Sequence, residues 1–347
     1  MLKVGLVGYG FAGATFHAPL IEGSARATVA AIVTSQPERA RADWPNARVL
    51  ASFDELLADP AITVAAIATP NDTHFDHAKR ALEAGKHVVV DKPVTLTSAE
   101  ARELASLAAS RGLLFAPFHN RRWDGDFLTV RALIESGVLG RVTYYESHFD
   151  RFRPVVRPRW REEASRGGGL LYDLGPHLID QALALFGAPQ TVFATVATRR
   201  DNATADDYVH IVLGYAGRDV VLHASVLAAA PTPRYQIHGT KGSYTKFGLD
   251  SQEDQLRAGL RPGQAGWGAN PPGRLRTSDG TLELDGELST LNGNYAAYYA
   301  AVADTIERGE PFPVTPDEAV DVMKLIELAR ASHEQGQRLP FERAAAK

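Results

Sequence analysis

Short hydrophobic runs alternate with longer amphipathic stretches over residues 2–120. Several of these runs are almost continuously apolar, which is typical of parallel strands that are buried on both faces. The runs predict strands at Leu2–Val7, Thr28–Val33, Thr63–Ala68, His87–Val90 and Leu113–Phe118, and the stretches predict helices at Phe11–Glu22, Phe53–Leu57, His74–Ala84 and Ser98–Ser110. Repeated strand–helix–strand units of this kind predict an α/β fold that begins with a doubly wound Rossmann domain, residues 1–120.

The pattern changes after residue 120. Helices are predicted at Asp126–Glu135 and Leu171–Phe186 and near Asn294–Glu307 and Pro316–Glu334, and residues 259–280 are predicted as a long loop. Alternating segments predict strands at Arg141–Phe149, Thr191–Ala197, Tyr208–Leu213, Asp219–Leu227, Arg234–His238 and Ser243–Phe247. Residues 121–347 are therefore interpreted as an α+β domain with a largely antiparallel open sheet. This domain would bind substrate and mediate oligomerisation, and a C-terminal helix would pack back on the first domain.

Composition excludes several classes of protein. The chain has 347 residues, of which 45% are hydrophobic and 22% charged, with a net charge of −4 and no cysteine. The acidic balance disfavours a nucleic-acid binder, and no apolar run is long enough for a membrane helix. The absence of cysteine excludes disulfides and thiolate metal sites. Because the N-terminus also lacks a signal-peptide pattern, we expect a cytoplasmic protein with no membrane partner.

A glycine-rich loop directly follows the first predicted strand. Gly8, Gly10 and Gly13 form a G-x-G-x-x-G pattern, with Phe11 and Ala12 between the last two glycines, and the pattern opens a helical stretch. This context fits a dinucleotide loop: the glycines allow a tight turn, close backbone approach to a pyrophosphate and close helix packing. The alternative is three turn glycines in an ordinary strand–helix connection.

The end of the second strand indicates which dinucleotide binds. NAD sites usually carry Asp or Glu there, whereas this strand is followed by Thr34 and Ser35, with Arg39 nearby. Hydroxyl groups and a guanidinium suit a ribose 2′-phosphate. We therefore predict NADP as the cofactor, with NAD possible because a small shift of register would bring Glu38 near the ribose.

Two further segments carry candidate catalytic groups. Lys92 and Pro93 follow the buried strand His87–Val90, at the edge where open α/β sheets bind ligands; the alternative for Lys92 is a surface lysine before a turn. Asp173 and His177 are four residues apart, so in one helix they would share a face and the carboxylate could orient the imidazole as a general base. The alternative is an N-cap aspartate and a core histidine.

Together these motifs resemble the glucose–fructose oxidoreductase/inositol dehydrogenase (Gfo/Idh/MocA) family, and within it the NADP-linked scyllo-inositol dehydrogenases. The stretches that carry the resemblance span nearly the whole chain: GYGFAGATFHAP (8–19), ATPNDTH (68–74), DKPV (91–94), HNRRWDGD (119–126), ESHFDRFR (146–153), GGGLLYDLGPHLID (167–180), GTKGSYTKFG (239–248) and NYAAYY (294–299). Two positions depart from the family pattern: Asp91 stands where Glu is usual, and Gln36 stands where the NADP-linked relatives tend to have Arg.

The resemblance implies roles for the matching positions. Lys92 would bind the substrate hydroxyl and the nicotinamide ribose, and Asp173 and His177 would complete the catalytic set, with His177 as acid/base. The cofactor would also contact Thr69, Pro70, Asn71, His74, Pro93 and Asn120. The candidate substrate-binding residues are Arg122, Trp123, Arg153, Trp160, Tyr172 and Tyr235.

Other signals are assigned to supporting roles. The segment Arg151–Arg161 holds five arginines and is interpreted as a substrate-side loop, with a solvated or interface face and a nucleic-acid contact as alternatives. Tyr295, Tyr298 and Tyr299 are expected in the core, with contact between one of them and the substrate as the alternative. Trp123 and Trp267 fit either packing or a pocket. His74 and His77 lack a clear third ligand, so we expect no metal.

The sequence thus predicts an NADP-dependent dehydrogenase that transfers hydride between nicotinamide and a secondary alcohol or ketone of a cyclic polyol or sugar. A homodimer or homotetramer is expected. The alternatives are an aldose-type sugar oxidoreductase, a glycosidase that retains its cofactor, and a non-catalytic sensor that binds dinucleotide.

Overall fold

The computed structural model describes residues 1–164 and 167–343. The chain divides into two compact units. The first unit contains Met1–Trp123, Ser251–Gly268 and Asn294–Val320, and the second contains Asp124–Asp250, Ala269–Gly293 and the residues from Asp321 onward. The predicted end of the second domain, residues 344–347, lies outside the described residues.

Strands and helices are numbered in chain order. The strands are β1 (Leu2–Val7), β2 (Ala27–Val33), β3 (Arg48–Leu50), β4 (Val64–Ile67), β5 (His87–Val90), β6 (Phe115–Pro117), β7 (Val142–Asp150), β8 (Thr191–Ala197), β9 (Tyr208–Tyr215), β10 (Arg218–Ser225), β11 (Pro233–Gly239), β12 (Gly242–Phe247), β13 (Gly273–Ser278), β14 (Glu283–Leu288) and β15 (Leu339–Pro340). The helices are α1 (Ala18–Gly23), α2 (Pro37–Asp43), α3 (Phe53–Ala58), α4 (His74–Glu83), α5 (Ser98–Ser110), α6 (Gly125–Glu135), α7 (Leu170–Asp173), α8 (Gly175–Phe186), α9 (Gln252–Arg257), α10 (Ala296–Arg308) and α11 (Pro316–Gln335).

The first unit is built on a six-stranded parallel sheet with the order β3-β2-β1-β4-β5-β6. Every residue of β4 is buried, as expected for a strand that is covered on both faces. The strand order reverses between β1 and β4, and ligands of open α/β sheets bind at the carboxyl ends of the strands beside such a reversal. The predicted doubly wound Rossmann domain is confirmed.

Three tyrosines of the α10 region are buried in the first unit: one precedes the helix and two lie within it. Tyr298 packs edge-on against Phe118 with ring centroids 4.8 Å apart, and its hydroxyl donates to backbone carbonyls of β6. Tyr295 and Tyr299 are also fully buried. This burial explains why Asn294–Val320 belongs to the first unit. The predicted second domain, residues 121–347, includes this segment, and only a C-terminal helix is expected to pack back on the first domain.

The second unit is built on a nine-stranded sheet with the order β14-β13-β12-β11-β7-β10-β9-β8-β15. Among the described residues only β7 and β10 pair in parallel, and the other neighbouring strands are antiparallel. Burial alternates along β7 from Tyr145 to Asp150, so one side of that strand faces the core and the other side carries half-buried polar residues. The predicted, largely antiparallel sheet is confirmed.

The structure differs from the predicted elements in two places. Residues 259–280 are not one long loop, because their last part forms β13, which pairs with β12 and β14. The predicted helix Leu171–Phe186 is interrupted at Leu174, where φ is −116°, and it forms the separate helices α7 and α8. Pro176 lies in the first turn of α8, where a residue without an N–H is tolerated, and its ring would clash inside one continuous helix.

Candidate functional site

The glycine loop lies at the carboxyl end of β1, and its three glycines have different surroundings. Gly8 has a φ of +96°, and an added Cβ would lie 2.5 Å from the Ala68 carbonyl oxygen. An added Cβ at Gly13 would lie 2.1 Å from the Gly8 carbonyl oxygen. At Gly10 an added Cβ would meet no atom of the described residues within 4 Å. Gly8 and Gly13 are therefore required by the fold, whereas the space beside Gly10 is open for a ligand.

The residues between and after these glycines complete the loop. Phe11 is 48% exposed and contacts Phe16 edge-on, with ring centroids 5.9 Å apart. Ala12 is half-buried and precedes the helical turns Gly13–His17 and α1. Backbone N–H groups at such a strand-to-helix connection are donors for phosphate oxygens. The loop geometry thus fits the pyrophosphate of a dinucleotide, and the binding roles of the individual residues stay a prediction.

Arg39 is held beside the glycine loop by neighbouring side chains. Its guanidinium lies 5.3 Å from the centre of the Tyr9 ring, and its Nε lies 3.6 Å from the Asp43 carboxylate. Tyr9 donates to Asp43 at 2.9 Å and accepts from Trp44 Nε1 at 2.7 Å. Burial, followed by Asp43, raises the pKa of Tyr9 to about 12, so its hydroxyl remains a donor.

The end of β2 carries hydroxyl groups, as predicted. Thr34 accepts a hydrogen bond from the backbone N–H of Gln36 at 3.0 Å, and Ser35 is exposed. Glu38, the residue that could have favoured NAD, pairs with Arg41 at 2.6 Å on the exposed side of α2. Thr34 and Ser35 thus follow the end of β2, and their contact with a ribose substituent stays a prediction, as does that of Arg39.

A histidine contacts backbone carbonyl groups of the loop that follows β4 and of the loop that follows β5. The two ring nitrogens of His74 lie 2.7 Å from the Pro93 carbonyl oxygen and 2.8 Å from the Thr69 carbonyl oxygen. Burial lowers the pKa of His74, and the charge of Asp91 partly opposes this shift. Asn71 is buried at the start of the short helical segment after Pro70. His74 therefore joins the loops after β4 and β5, and both of its nitrogens face carbonyl groups.

Lys92 follows β5 beside a buried carboxylate. Asp91 accepts the backbone N–H of Lys92 at 2.8 Å, and it lies 3.9 Å from His17 Nε2. Burial alone would raise the pKa of Asp91, but His17, Lys92 and His74 outweigh burial and lower the pKa to about 2. The other ring nitrogen of His17 lies 2.7 Å from the Tyr299 hydroxyl. Asp91, which is shorter than the usual Glu, therefore lies in a buried polar network with His17 and Tyr299. Sequence reasoning missed His17, although it lies in the stretch GYGFAGATFHAP.

The segment after β6 carries three predicted ligand contacts. Asn120 is buried in the short helical turn Asn120–Trp123. Arg122 donates to the Pro313 carbonyl at 2.8 Å and pairs with Glu318 at 3.3 Å, and only 6% of it is exposed. The Trp123 ring packs against Tyr298, with centroids 5.7 Å apart. These contacts assign Arg122 and Trp123 a structural role within the first unit.

Asp173 and His177 lie on different helices of the second unit. Asp173 is the last residue of α7 and lies 3.7 Å from the Arg161 guanidinium, whereas His177 is buried in the first turn of α8. The two residues therefore do not lie in one continuous helix, because it is interrupted at Leu174, and the expected contact between their side chains stays a prediction. Their catalytic roles remain a prediction, as does that of Lys92, which belongs to the first unit.

The start of α7 is fixed by an aspartate from another part of the second unit. The backbone N–H of Leu171 donates to the Asp206 carboxylate at 2.7 Å, and that of Leu170 donates to the Asp206 carbonyl at 2.8 Å. Gly169 has a φ of +102°, and an added Cβ would lie 2.3 Å from the Asp206 carboxylate. The glycine run before α7 is therefore needed so that the carboxylate can approach the helix end.

The remaining predicted substrate residues of the second unit differ in exposure. Arg153 is half-buried, and burial, followed by the charges of neighbouring arginines, lowers its pKa. Trp160 is half-buried under the Arg161 guanidinium, 4.5 Å from the ring centre. Tyr172 is half-buried and lies 5.6 Å from the Arg330 guanidinium. All three side chains keep some surface for contact with a ligand.

Tyr235 is part of a buried polar network instead. It is fully buried, and its hydroxyl donates to Gln181 of α8 at 2.9 Å. The neighbouring Arg234 donates to Gln181 at 2.8 Å and lies 3.6 Å from the Asp126 carboxylate. Burial raises the pKa of Asp126 to about 6, although Arg234 opposes this shift. These contacts argue against direct binding of substrate by Tyr235 and assign it to holding α8 on the sheet.

No helix among the described residues is long and apolar enough to cross a membrane.

Comparison with known proteins gives one consistent result. The description "Oxidoreductase family, NAD-binding Rossmann fold" matches residues 2–119, and "Oxidoreductase family, C-terminal alpha/beta domain" matches residues 131–341. The chain is 51% identical over 328 residues to the uncharacterized oxidoreductase YdgJ of Escherichia coli, covering 94% of this chain and 95% of that protein.

It is also 40% identical over 344 residues to the scyllo-inositol 2-dehydrogenase (NADP(+)) IolW of Bacillus subtilis, covering 98% of this chain and 96% of that protein. The solved structure of the YPO2259 protein of Yersinia pestis superposes with a TM-score of 0.94 at 51% identity, covering 100% of this chain and 98% of that one.

Proposed function

We propose that this chain, which belongs to the Gfo/Idh/MocA family of oxidoreductases, is an NADP-dependent dehydrogenase of a cyclic polyol such as scyllo-inositol. Family membership makes it an oxidoreductase of the NAD(P)-dependent dehydrogenase type with an NAD(P)-binding Rossmann domain. The choice of NADP and of a cyclic polyol is the proposal. The observation that carries the choice of NADP is the site at the carboxyl ends of β1 and β2, with open space beside Gly10 and hydroxyl groups after β2. The choice of a cyclic polyol is supported by the 40% identity to IolW.

The preference for NADP is supported by charge. Arg39 is held by Tyr9 and Asp43, and Glu38 is engaged by Arg41 on the surface of α2. A guanidinium and hydroxyl groups bind a phosphate dianion with charge-assisted hydrogen bonds. The relative IolW is named as an NADP(+) enzyme, which supports the same choice.

Three residues of the chain would assist hydride transfer, each in a different role. The bound nicotinamide would accept or supply the hydride. His177 would take the hydroxyl proton of the substrate, since an imidazole has an ordinary pKa of about 6.5 and suits general base catalysis near neutrality. Lys92 would stabilise negative charge on the reacting oxygen, and Asp173 would orient the imidazole. In the reverse direction His177 would return the proton to the oxygen of the ketone as hydride reaches its carbon.

The experiment tests a panel of substrates, and turnover of each is measured by the change in nicotinamide absorbance. The purified protein is assayed with inositols, inososes and aldoses, each with NADP(H) and NAD(H), beside the variant His177→Ala. We expect turnover of an inositol–inosose pair with NADP(H) preferred, and a loss in the variant. Turnover of aldoses alone would favour a sugar oxidoreductase. A nucleotide that never exchanges during glycoside cleavage would identify a cofactor-retaining glycosidase, and binding without any turnover would identify a sensor.

We also propose that the chain forms a homodimer or homotetramer through the second unit. Apolar side chains with large exposure lie on outer strands of its sheet, including Phe193 and Leu284. Light scattering coupled to gel filtration tests this: a mass of two or four chains is expected, and a single 37.5 kDa species would overturn the proposal.

A further inference from the structure

Two histidines and an aspartate meet on the half-buried face of the second sheet. His148 and Asp150 lie on β7, and His223 lies directly opposite His148 on β10. One nitrogen of each ring and one carboxylate oxygen all lie within 4.8 Å of one another. His148 Nδ1 lies 2.9 Å from Asp150 Oδ2, and His223 Nε2 lies 3.5 Å from Asp150 Oδ1. The sheet register therefore brings three side chains with metal-ligand chemistry to one point.

One oxygen of this cluster lacks a protein donor. Oδ1 of Asp150 is buried and accepts no hydrogen bond from the described residues, while only 5% of the Asp150 side chain is exposed. A buried carboxylate oxygen without a donor costs free energy, and more so when the group is charged. It faces the Nε2 atom of His223, whose separation of 3.5 Å is too long for a good hydrogen bond. A cation between these atoms would satisfy both.

We propose that His148, Asp150 and His223 bind a divalent transition-metal ion of the zinc class. Two imidazoles and one carboxylate form a ligand set that Zn²⁺ accepts, with bond lengths of about 2.0–2.2 Å. Ligand atoms on the vertices of such a site lie roughly 3–3.5 Å apart, so the ligand atoms, which here lie within 4.8 Å of one another, would draw together around the ion. Water would fill the remaining position.

The surrounding residues form the outer shell that metal ligands usually have. His148 Nε2 lies 2.7 Å from Glu146, and Nδ1, which lies 2.9 Å from Asp150 Oδ2, would exchange that contact for the ion. His223 Nδ1 lies 3.3 Å from His210 Nδ1, which leaves Nε2. The hydroxyl of Thr232 donates to Asp150 Oδ2 at 2.8 Å. Each ligand is thus oriented by a second polar group, as expected for a built site rather than a chance meeting of side chains.

The site would join β7 to β10, the one parallel pair of this sheet in the described chain. Arg151 follows Asp150 directly, and its backbone N–H bonds to Ser225 at the end of β10 at 2.8 Å. A bound ion would therefore stabilise the start of the arginine-rich segment. The proposal is independent of the nucleotide site and of the polyol substrate, and it goes beyond the expectation from sequence that no metal binds.

The test is titration of the chelator-treated full chain with ZnCl₂ by calorimetry, and with CoCl₂ by visible absorbance. We expect one ion per chain, a rise in the melting temperature with Zn²⁺, and Co²⁺ absorption bands of a low-coordinate site. His223→Gln and Asp150→Asn should weaken binding at least about 10–100-fold.

The matched control is His238→Gln, a histidine on β11 that bonds to Gln236 and Ser243 and lies outside the cluster. It should bind the ion like the parent. Melting of the metal-free variants by circular dichroism checks that they fold. The proposal is overturned if the parent binds no ion, or if the cluster variants, folded, bind it as tightly as the parent and the control.

Discussion

Replacement of Gly10 by alanine separates ligand binding from folding. The added Cβ would meet no described atom within 4 Å, and the backbone at Gly10 is outside the left-handed region that favours glycine. Alanine at such a position stabilises a fold by about 0.4–1 kcal/mol, because it restricts the unfolded chain. We therefore expect the melting temperature of the protein without nucleotide to stay level or rise slightly.

The same methyl group would occupy the space that the pyrophosphate needs. Loss of one charge-assisted hydrogen bond from the backbone costs about 1.5–3 kcal/mol, which corresponds to a roughly 10- to 150-fold weaker affinity. The assay is calorimetric titration of parent and Gly10→Ala with NADPH, together with melting curves with and without the nucleotide. The reasoning is refuted if the variant binds NADPH as tightly as the parent.

Gly13→Ala is the matched control for this prediction. Its Cβ would lie 2.1 Å from the Gly8 carbonyl oxygen, a backbone atom that cannot move without disturbing β1. Overpacking of this kind costs about 1–3 kcal/mol, or roughly 2–12 °C in melting temperature. A stable Gly13→Ala protein would show that the loop is less tightly packed than the structure indicates.

Three other variants test single groups. Arg39→Ala should raise the KM for NADP about 10-fold or more and leave that for NAD unchanged; equal effects on both nucleotides would contradict the role of Arg39. His177→Ala should lower kcat about 10²–10⁴-fold, and a near-parental rate would reject acid/base catalysis by this residue. Asp91→Asn should remove about 2 kcal/mol of stability, because the pKa of Asp91 is lowered from 3.8 to about 2. This contribution is present above pH 3.8 and is lost as the pH falls towards 2, so parallel denaturant curves for parent and variant should converge over that interval; a constant gap would contradict it.

Strands of the first unit were predictable because a strand that is buried on both faces consists almost entirely of apolar residues. Leu2–Val7 and His87–Val90 are almost continuously apolar runs, and the structure gives both with the predicted bounds. The elements that were missed are short or exposed. Arg48–Leu50 has three residues, and Glu283–Leu288 is mostly exposed, so neither shows an apolar pattern. The break before α8 had a signal in Pro176, which the helical periodicity on both sides concealed.

The site was predictable where one local motif suffices. The glycine loop joins a strand to a helix within a few residues, and its geometry follows from sequence order. His17 and Arg234 could not be found in this way, because their partners come from distant segments: His17 contacts Tyr299, and Arg234 bonds to Ser147 and Gln181. Such contacts depend on tertiary packing, and they cannot be predicted from residue type or from spacing along the chain.

The most direct measurement of the proposed chemistry is the transfer of an isotope label. NADPH deuterated at the reactive face of nicotinamide C4 is incubated with the protein and an inosose, and the product is analysed by mass spectrometry. The account predicts an inositol one mass unit heavier than the unlabelled product, with the deuterium on the former carbonyl carbon. An inositol that carries no deuterium, or no inositol at all with either nucleotide, would contradict it.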